Sequence, residues 1–283
     1  MTSARVATSL ILLAGATVAL LLFPTGAGLP TPVPRAQSTS IAPVPVLTAS
    51  RLAALPEARY DAVIAGLLPV RGIAVGDTAF RLRDDTALYA EDRITPIARL
   101  AARNFLGEPT VVMPVESSGD WVRVLSPYRQ RLPSDGADTA GTLAPAQTTA
   151  WLHANSLTSP TALVDHIVIS VRAQTLSIVG TRNRTWAVGV GAPGTRTPTG
   201  VTGYLEARYR DAAQGQVEHP VQLTSLHSTA MDEPFGGDDG GLIGIHFQAA
   251  AAGAVSHGCI RVAAETLVAV DALPLGTLVT IQE

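Results

Sequence analysis

The residues best suited to chemistry lie together in one short stretch, AVSHGCIRV. It contains the only cysteine of the chain, Cys259, directly after His257 and Gly258. Another histidine, His246, follows an apolar run and precedes Cys259 by 13 residues. A thiol with a pKa of about 8.5 is mostly protonated near neutral pH, and a neighbouring imidazole can take its proton to leave the reactive thiolate. A strand, loop and strand of this length can bring the two side chains together, which predicts a cysteine nucleophile with a histidine base.

The glycine before the cysteine supports the same chemistry. Gly258 removes a side chain where a substrate carbonyl would approach, and it permits a strained turn that exposes consecutive backbone N–H groups. Such donors can hold a developing oxyanion, an effect typically worth about 3–4 kcal/mol. Ser256 is expected to form a local hydrogen bond. The stretch therefore predicts an acyl-transfer site.

Two other interpretations use the same residues. A single cysteine can be a buried, inert thiol. A zinc site could instead use His227, His246, His257 and Cys259 as ligands. Zinc ligands usually come in pairs at short spacings backed by carboxylates, and only His257 and Cys259 are close in this sequence. The spacing therefore favours the nucleophile over the metal.

Composition and the first residues indicate a folded, exported protein. Of the 283 residues 47% are hydrophobic and 15% charged, which excludes a mostly disordered chain. A net charge of −3 gives no reason to expect nucleic acid as a partner. The uncharged run Val6–Phe23 follows Arg5 and predicts a signal peptide or membrane anchor over residues 1–28. We expect the protein in the cell envelope, either membrane-anchored or secreted. An unpaired cysteine in an oxidising compartment is a disadvantage unless the thiol has a function, so export favours a functional Cys259.

The remaining chain divides into four parts that differ in composition and in the pattern of apolar residues. Residues 29–48 are rich in Pro, Ser and Thr and are expected to be a linker. Residues 49–77 are expected to be a short helical segment, because apolar side chains recur at helical spacing within 51–68. Short strands separated by turns follow over 78–158, with the insert 131–147 expected to be a mobile loop. Ser159-Pro160 marks a boundary, and a second β-rich part covers 162–283.

The part over 78–158 resembles a bacterial SH3-like domain, a small β-barrel. The resemblance rests on two strands, GDWVRV and AWLHANSL. Such modules often bind cell-wall material, and a spacer packed on the next domain is equally compatible with the sequence.

The part over 162–283 resembles the L,D-transpeptidase (YkuD-type) catalytic domain. The hexapeptide SHGCIR with the upstream His246 matches its signature. DHIVISVRAQTLSIV resembles its opening hairpin, VGVGAPGTRTPTG its next strand and turn, and LPLGTLVTI its closing strand. The resemblance implies a mainly β fold, a mixed β-sandwich-like domain with one C-terminal helix that follows the cysteine. The N-terminal end of such a helix would favour negative charge nearby.

The resemblance also implies an activity, a transfer between peptidoglycan stem peptides. Cys259 would attack a donor stem and expel D-alanine, and the thioester would pass to a second stem to give a 3→3 cross-link. His246 would be the base, oriented by the backbone carbonyl of Phe247. N–H groups around His257, Gly258 and Cys259 would form the oxyanion hole. No metal or organic cofactor is implied, and carbapenem-type β-lactams are expected to acylate the same cysteine.

Several points depart from the family pattern or stay open. Phe247 stands where the family usually has glycine, and the loop after it is about three residues shorter, which puts acceptor choice in question. Arg261 suits a carboxylate, either on the substrate or in the scaffold, and His227 is expected to line the substrate site. The same acyl-enzyme could also serve an L,D-carboxypeptidase or a D-amino-acid exchange enzyme. A wall-binding protein with an inactive site is the non-catalytic alternative.

Overall fold

The computed structural model describes residues 47–70, 75–138, 141–232 and 241–283. The expected signal peptide or anchor, and nearly all of the expected linker, lie outside these residues. Within the described ranges no helix is long and apolar enough to cross a membrane. The fold is mainly β, as the sequence predicts, and its longer helix lies near the C-terminal end.

The N-terminal region, residues 47–162, is built from short strands. Its main sheet has the strand order β4-β3-β8-β7-β6, with β1 paired to β8, and a second sheet has the order β5-β2-β9. The elements are α1 (Ala49–Ala53), β1 (Leu68–Pro69), β2 (Thr78–Leu82), β3 (Thr86–Tyr89), β4 (Pro96–Leu100), β5 (Val111–Val112), β6 (Pro114–Ser118), β7 (Trp121–Ser126), β8 (Thr148–His153) and β9 (Leu157–Ala162). Strand β9 runs across the predicted boundary and pairs with β2, so this region extends to Ala162.

The C-terminal region, residues 163–283, is one large sheet with a helix. The strand order is β12-β11-β10-β17-β13-β14-β15-β16. The elements are β10 (His166–Ser170), β11 (Thr175–Val179), β12 (Arg184–Ala187), β13 (Val201–Asp211), β14 (Gln216–His227), β15 (Leu242–Phe247), β16 (Ile260–Val262), α2 (Ala264–Asp271) and β17 (Leu278–Gln282). Gly189, just beyond β12, exchanges two backbone hydrogen bonds with Arg261 of β16, so the sheet nearly closes on itself.

Alternating apolar residues form the core of the C-terminal region. In β10 the odd-numbered Ile167 and Ile169 are buried, and β17 buries Val279 and Ile281 beside them through parallel pairing. Helix α2 adds Leu267 and Val270 to the same core. Strand β15 contributes two further buried isoleucines, so the strand that ends in His246 is anchored in the core.

The helix predicted over 51–68 is wrong beyond its first residues. Helix α1 ends at Ala53, and the chain after it forms single turns and bonds to neighbouring segments rather than continuing as a helix. Arg99 donates to Pro56 O at 2.8 Å, Ala58 donates to Arg99 O at 2.8 Å, and Ile64 donates to Arg129 O at 2.8 Å. Pro56 also lacks the N–H that a continuing helix would need. Tertiary pairing therefore overrides the helical spacing of the apolar residues.

The two regions share a buried boundary. Tyr204 of β13 packs with Ala79, Val111 and Met113 of the N-terminal region, and its hydroxyl donates to Val111 O at 3.3 Å. The insert 131–147, expected to be a mobile loop, is buried at its end. Gln147 accepts a hydrogen bond from Ser225 at 2.7 Å, and the Ala146 carbonyl accepts from the His227 N–H at 2.9 Å.

Candidate active site

Two adjacent parallel strands position Cys259 and His246, the predicted nucleophile and base. Strand β15 ends with His246 and Phe247, and β16 starts directly after Cys259. The pairing sets Ile245 opposite Ile260 and His246 opposite Arg261. The loop between the strands therefore returns the chain so that Cys259 lies beside Gly244, and the predicted strand–loop–strand is present.

The sulfur of Cys259 is held by the backbone of β15. The Gly244 N–H donates to Cys259 Sγ at 3.4 Å, and the thiol points to Leu242 O at 3.8 Å. The residue is 7% exposed. A Cβ on Gly244 would lie 3.2 Å from Val221 Cγ1 and 4.0 Å from the sulfur, so glycine keeps this approach open. Helix α2 follows the cysteine, as predicted, and begins at Ala264 after β16. The N–H that contacts the sulfur comes from the strand residue Gly244.

The imidazole of His246 is oriented by the next residue. Its Nδ1 lies 3.1 Å from the Phe247 carbonyl oxygen. A carbonyl can only accept, so Nδ1 carries the proton and Nε2 keeps its lone pair for an incoming proton. Gln216 Nε2 donates to the same oxygen at 3.0 Å, which fixes it from a second side. The Phe247 ring packs against His219, with ring centroids 4.9 Å apart, rather than into the site.

Burial keeps this histidine neutral. Desolvation lowers the pKa of His246 below its usual value, the bond to Phe247 O acts in the opposite direction, and the positive charge of Arg261 lowers the pKa further. A neutral imidazole with an open Nε2 is the form that a general base needs.

A strained turn precedes the cysteine. Ser256 has φ +87° and Gly258 has φ +124°, and a Cβ on Gly258 would lie 2.8 Å from Ile243 Cδ1. Hydroxyl groups hold the carbonyls of this turn: Ser256 Oγ donates to Cys259 O at 2.6 Å, and Thr197 Oγ1 to Gly258 O at 2.8 Å. Fixing the carbonyls in this way sets the orientation of the peptide N–H groups between them.

Thr195 and Thr197 are supporting residues that sequence reasoning missed. Thr195 Oγ1 donates to Ser256 O at 3.1 Å, and both threonines belong to the Gly-, Pro- and Thr-rich loop GAPGTRTPTG. The only sequence signal for these two threonines is their spacing, with one residue between them. It does not indicate a partner, because Ser256 and Gly258 are 61 residues away in each case.

Cys259 and His246 open onto one pocket of about 490 Å³. The catalytic strands supply Gly244, His246 and Cys259, and the β13–β14 hairpin supplies most of the other residues. Two aromatic residues from the N-terminal region also line this Cys259 pocket. The full set is Tyr60, Phe105, Tyr209, Asp211, Ala213, Gln214, Val221, Leu223, Leu242, Gly244, His246 and Cys259.

The other predicted site residues have different positions. His257 is exposed beside the buried Ser256, Gly258 and Cys259. Arg261 pairs through its backbone with Gly189 at 2.9 Å in both directions, which is a structural role, while its charge acts on His246.

The prediction that His227 contacts substrate is wrong. It is 1% exposed and does not line the Cys259 pocket. Burial lowers the pKa of His227 to about 3, the Arg129 charge acts in the same direction, and a hydrogen bond to the Tyr60 backbone opposes them. His227 is a neutral residue at the boundary between the regions. Among the described residues no three His, Cys, Asp or Glu side chains are grouped to hold a metal ion.

Part of the chain matches the sequence model of a known protein family. Residues 164–281 match the YkuD model, the L,D-transpeptidase catalytic domain. This region is a YkuD-type L,D-transpeptidase catalytic domain. The match covers the whole strand and turn arrangement around Cys259 and His246, and it ends inside β17.

Solved structures of L,D-transpeptidases give weaker similarity. One from Stackebrandtia nassauensis is 16% identical over 42% of this chain and 55% of its own, with a TM-score of 0.31. One from Mycobacterium tuberculosis H37Rv is 15% identical over 78% of this chain and 98% of its own, with a TM-score of 0.36. L,D-transpeptidase 3 from Mycobacterium tuberculosis, solved with a faropenem-derived adduct, is 15% identical over 78% and 98%, with a TM-score of 0.35.

The chain spans about half the length of the first of these proteins. No match was found among curated proteins. The assignment of the L,D-transpeptidase catalytic domain therefore rests on the family match over residues 164–281.

Proposed function

We propose that this protein cross-links peptidoglycan stem peptides through a thioester on Cys259. The observation that carries the proposal is the pocket that Cys259 and His246 share, inside an L,D-transpeptidase catalytic domain. The neutral imidazole of His246 would act as the base, and its Nδ1–H, directed to the Phe247 carbonyl, fixes its orientation. The turn before Cys259, whose carbonyls accept hydrogen bonds from hydroxyl groups, would supply the oxyanion donors.

The first half of the reaction forms the acyl-enzyme. His246 Nε2 takes the thiol proton, and the sulfur of Cys259 attacks the carbonyl carbon of the third residue of the donor stem. The N–H groups of Gly258 and Cys259 stabilise the negative oxygen of the tetrahedral intermediate. The peptide C–N bond then breaks, the imidazolium returns its proton to the leaving nitrogen, and D-alanine departs.

The second half transfers the acyl group. The side-chain amine of a second stem attacks the thioester carbonyl and gives a proton to His246. The C–S bond breaks, a 3→3 amide forms, and Cys259 leaves as thiolate before it regains its proton. Water in place of the amine would give an L,D-carboxypeptidase, and a free D-amino acid would give an exchange enzyme. Of these acceptors we propose the second stem, because the catalytic domain is of the L,D-transpeptidase family.

We further propose that the protein acts outside the cytoplasmic membrane. The apolar run Val6–Phe23 behind Arg5 supports export. A substrate in the cell envelope requires the same location. The SH3-like interpretation of residues 78–158 stays a prediction. A pull-down with purified peptidoglycan would test whether this part of the chain binds wall material.

Intact-protein mass spectrometry of the full chain tests the mechanism. Incubation with a carbapenem is expected to add one drug mass to the wild type, none to Cys259→Ala, and to proceed at least tenfold more slowly in His246→Ala. His166→Ala is the matched control, because His166 is exposed at the start of β10, outside the pocket. A tetrapeptide stem should release D-alanine with the same dependence. A folded wild-type protein that forms no adduct and releases no D-alanine would contradict the proposal and favour a wall-binding protein.

A further inference from the structure

Part of the Cys259 pocket is built by the N-terminal region. Tyr60 lies in the irregular segment after α1, and Phe105 lies in the turn between β4 and β5. Their ring centroids are 4.6 Å apart, and Phe105 lies 6.5 Å from the ring of Tyr209 on β13. Three segments that are distant in sequence therefore form one aromatic wall, defined here as Tyr60, Phe105 and Tyr209.

Contacts across the boundary hold this wall in place. The ring of His227, on β14, is hydrogen-bonded to the Tyr60 backbone. Two residues further on, the Ala62 carbonyl accepts from the Arg129 N–H at 3.1 Å. The Arg129 guanidinium donates to the carbonyls of Ser228 at 3.1 Å and Asp232 at 2.8 Å, just after β14. Tyr60 is thus fixed relative to the strands of the catalytic domain.

The charge of the pocket suits an amine. Asp211, at the end of β13, is the only carboxylate among the described lining residues, and no arginine lines the pocket. The Arg59 guanidinium lies 5.5 Å from the Tyr60 ring and forms an ion pair with Asp61, and the charge of Arg261 acts at the His246 end of the pocket. Aromatic faces and a carboxylate attract an ammonium group. A donor stem presents the carboxylate of its terminal D-alanine, which these groups would repel.

We propose that the aromatic wall and Asp211 form the acceptor subsite and bind the amine-bearing side chain of the second stem peptide. This inference rests on the proposed function. The ammonium group binds at the wall and loses one proton to solvent. The resulting amine gives a second proton to His246 as its C–N bond to the thioester carbonyl forms and the C–S bond breaks.

The test separates the two halves of the reaction in the full chain. Release of D-alanine from a tetrapeptide donor without acceptor measures acylation, and cross-linked product at varied acceptor concentration gives the acceptor KM. In Phe105→Ala and Asp211→Asn we expect the acceptor KM to rise about tenfold, with D-alanine release within twofold of wild type.

Matched controls come from neighbouring residues outside the pocket. Leu106 follows Phe105 and is equally exposed, at 39% against 37%, and Glu218 is an exposed carboxylate on the same hairpin as Asp211. Leu106→Ala and Glu218→Gln should behave as wild type, and thermal melting checks the fold of every variant.

Two results would overturn the inference and leave the proposed function standing. If Phe105→Ala and Asp211→Asn release D-alanine normally and keep the wild-type acceptor KM, these residues do not form the acceptor subsite, and the proposed function is unaffected. Equal losses in acylation and transfer would assign the wall to the donor. A wild type that releases no D-alanine at all would instead remove the proposed function, and this inference with it.

Discussion

His246 and Arg261 face each other as Cα partners in the parallel pairing of β15 with β16. The guanidinium of Arg261 therefore acts on the imidazole from the adjacent strand, and its charge adds to burial in lowering the pKa of His246. The arginine of the signature hexapeptide thus influences the base, although its backbone contacts with Gly189 close the sheet.

Replacing Arg261 should move the pH dependence of acylation. His246 must be neutral to accept the thiol proton, so activity is lost as pH falls through its lowered pKa. Arg261→Gln removes a positive charge, raises that pKa, and should shift the acidic limb of carbapenem acylation to higher pH. Arg261→Lys keeps the charge and should retain the wild-type limb. Rapid-mixing mass spectrometry between pH 4.5 and 8 measures the acidic limb of each protein. Identical limbs in all three proteins would mean that burial and the bond to Phe247 O set the pKa of His246 without Arg261.

The hydroxyl of Thr197 should matter for the turn that carries the oxyanion donors. Thr197 is 3% exposed and donates to Gly258 O at 2.8 Å. Thr197→Val keeps the shape but leaves that buried carbonyl without its donor, which costs about 1–3 kcal/mol of unfolding free energy. We expect carbapenem acylation to slow about tenfold.

Thr199→Val is the control for this change. Thr199 lies in the same loop and donates to the exposed Glu283 carboxylate at 2.8 Å instead of to a carbonyl of the turn. Acylation at the wild-type rate in Thr197→Val, with normal melting, would show that Ser256 and Thr195 hold the turn without it.

The placement of Cys259 beside the strand that ends in His246 was predictable because its signal is local. Gly258 and Cys259 are adjacent, and His246 ends an apolar run of strand length, so short-range pattern suffices to pair base and nucleophile. The strands with clean alternation, β10 and β17 among them, could be predicted for the same reason.

The rest depends on pairing between distant segments, which single-sequence patterns do not encode. The helical spacing around Tyr60 is real, yet the segment bonds to the backbone of Arg99 and Arg129 and does not continue as a helix. Phe105 reaches the pocket only because the N-terminal region packs on β13. The burial of His227 follows from the same boundary, and a histidine near a catalytic motif gives no sign of it.

The burial of His227 predicts a contribution to acid sensitivity. Its pKa is about 3 in the folded protein, against about 6.5 when unfolded. Below pH 6.5 the unfolded chain binds a proton that the folded protein excludes, so stability falls as pH drops toward 3. His227→Gln should reduce the loss of unfolding free energy between pH 7 and 5 by about 2 kcal/mol. Urea denaturation measures this, and the exposed His166→Gln should leave the loss unchanged.

Glu206 predicts the opposite dependence on pH. It lies on β13 beside a cavity of about 30 Å³, its Oε2 has no hydrogen-bond partner in the described structure, and burial raises its pKa to about 8. Between pH 4.5 and 8 the folded protein holds a proton that the unfolded chain releases, so the contribution of Glu206 to stability falls as pH rises, by about 1.4 kcal/mol per pH unit.

Glu206→Gln removes this titration while it keeps the shape of the side chain. We expect the variant to gain stability relative to wild type as pH rises from 5 to 8, with the two proteins converging below pH 4.5. Urea denaturation at each pH gives the difference in unfolding free energy. The exposed Glu218→Gln, on the neighbouring strand β14, should track wild type throughout. A constant difference between Glu206→Gln and wild type across this range would mean that Glu206 is already ionised in the folded protein, with its charge solvated through the cavity.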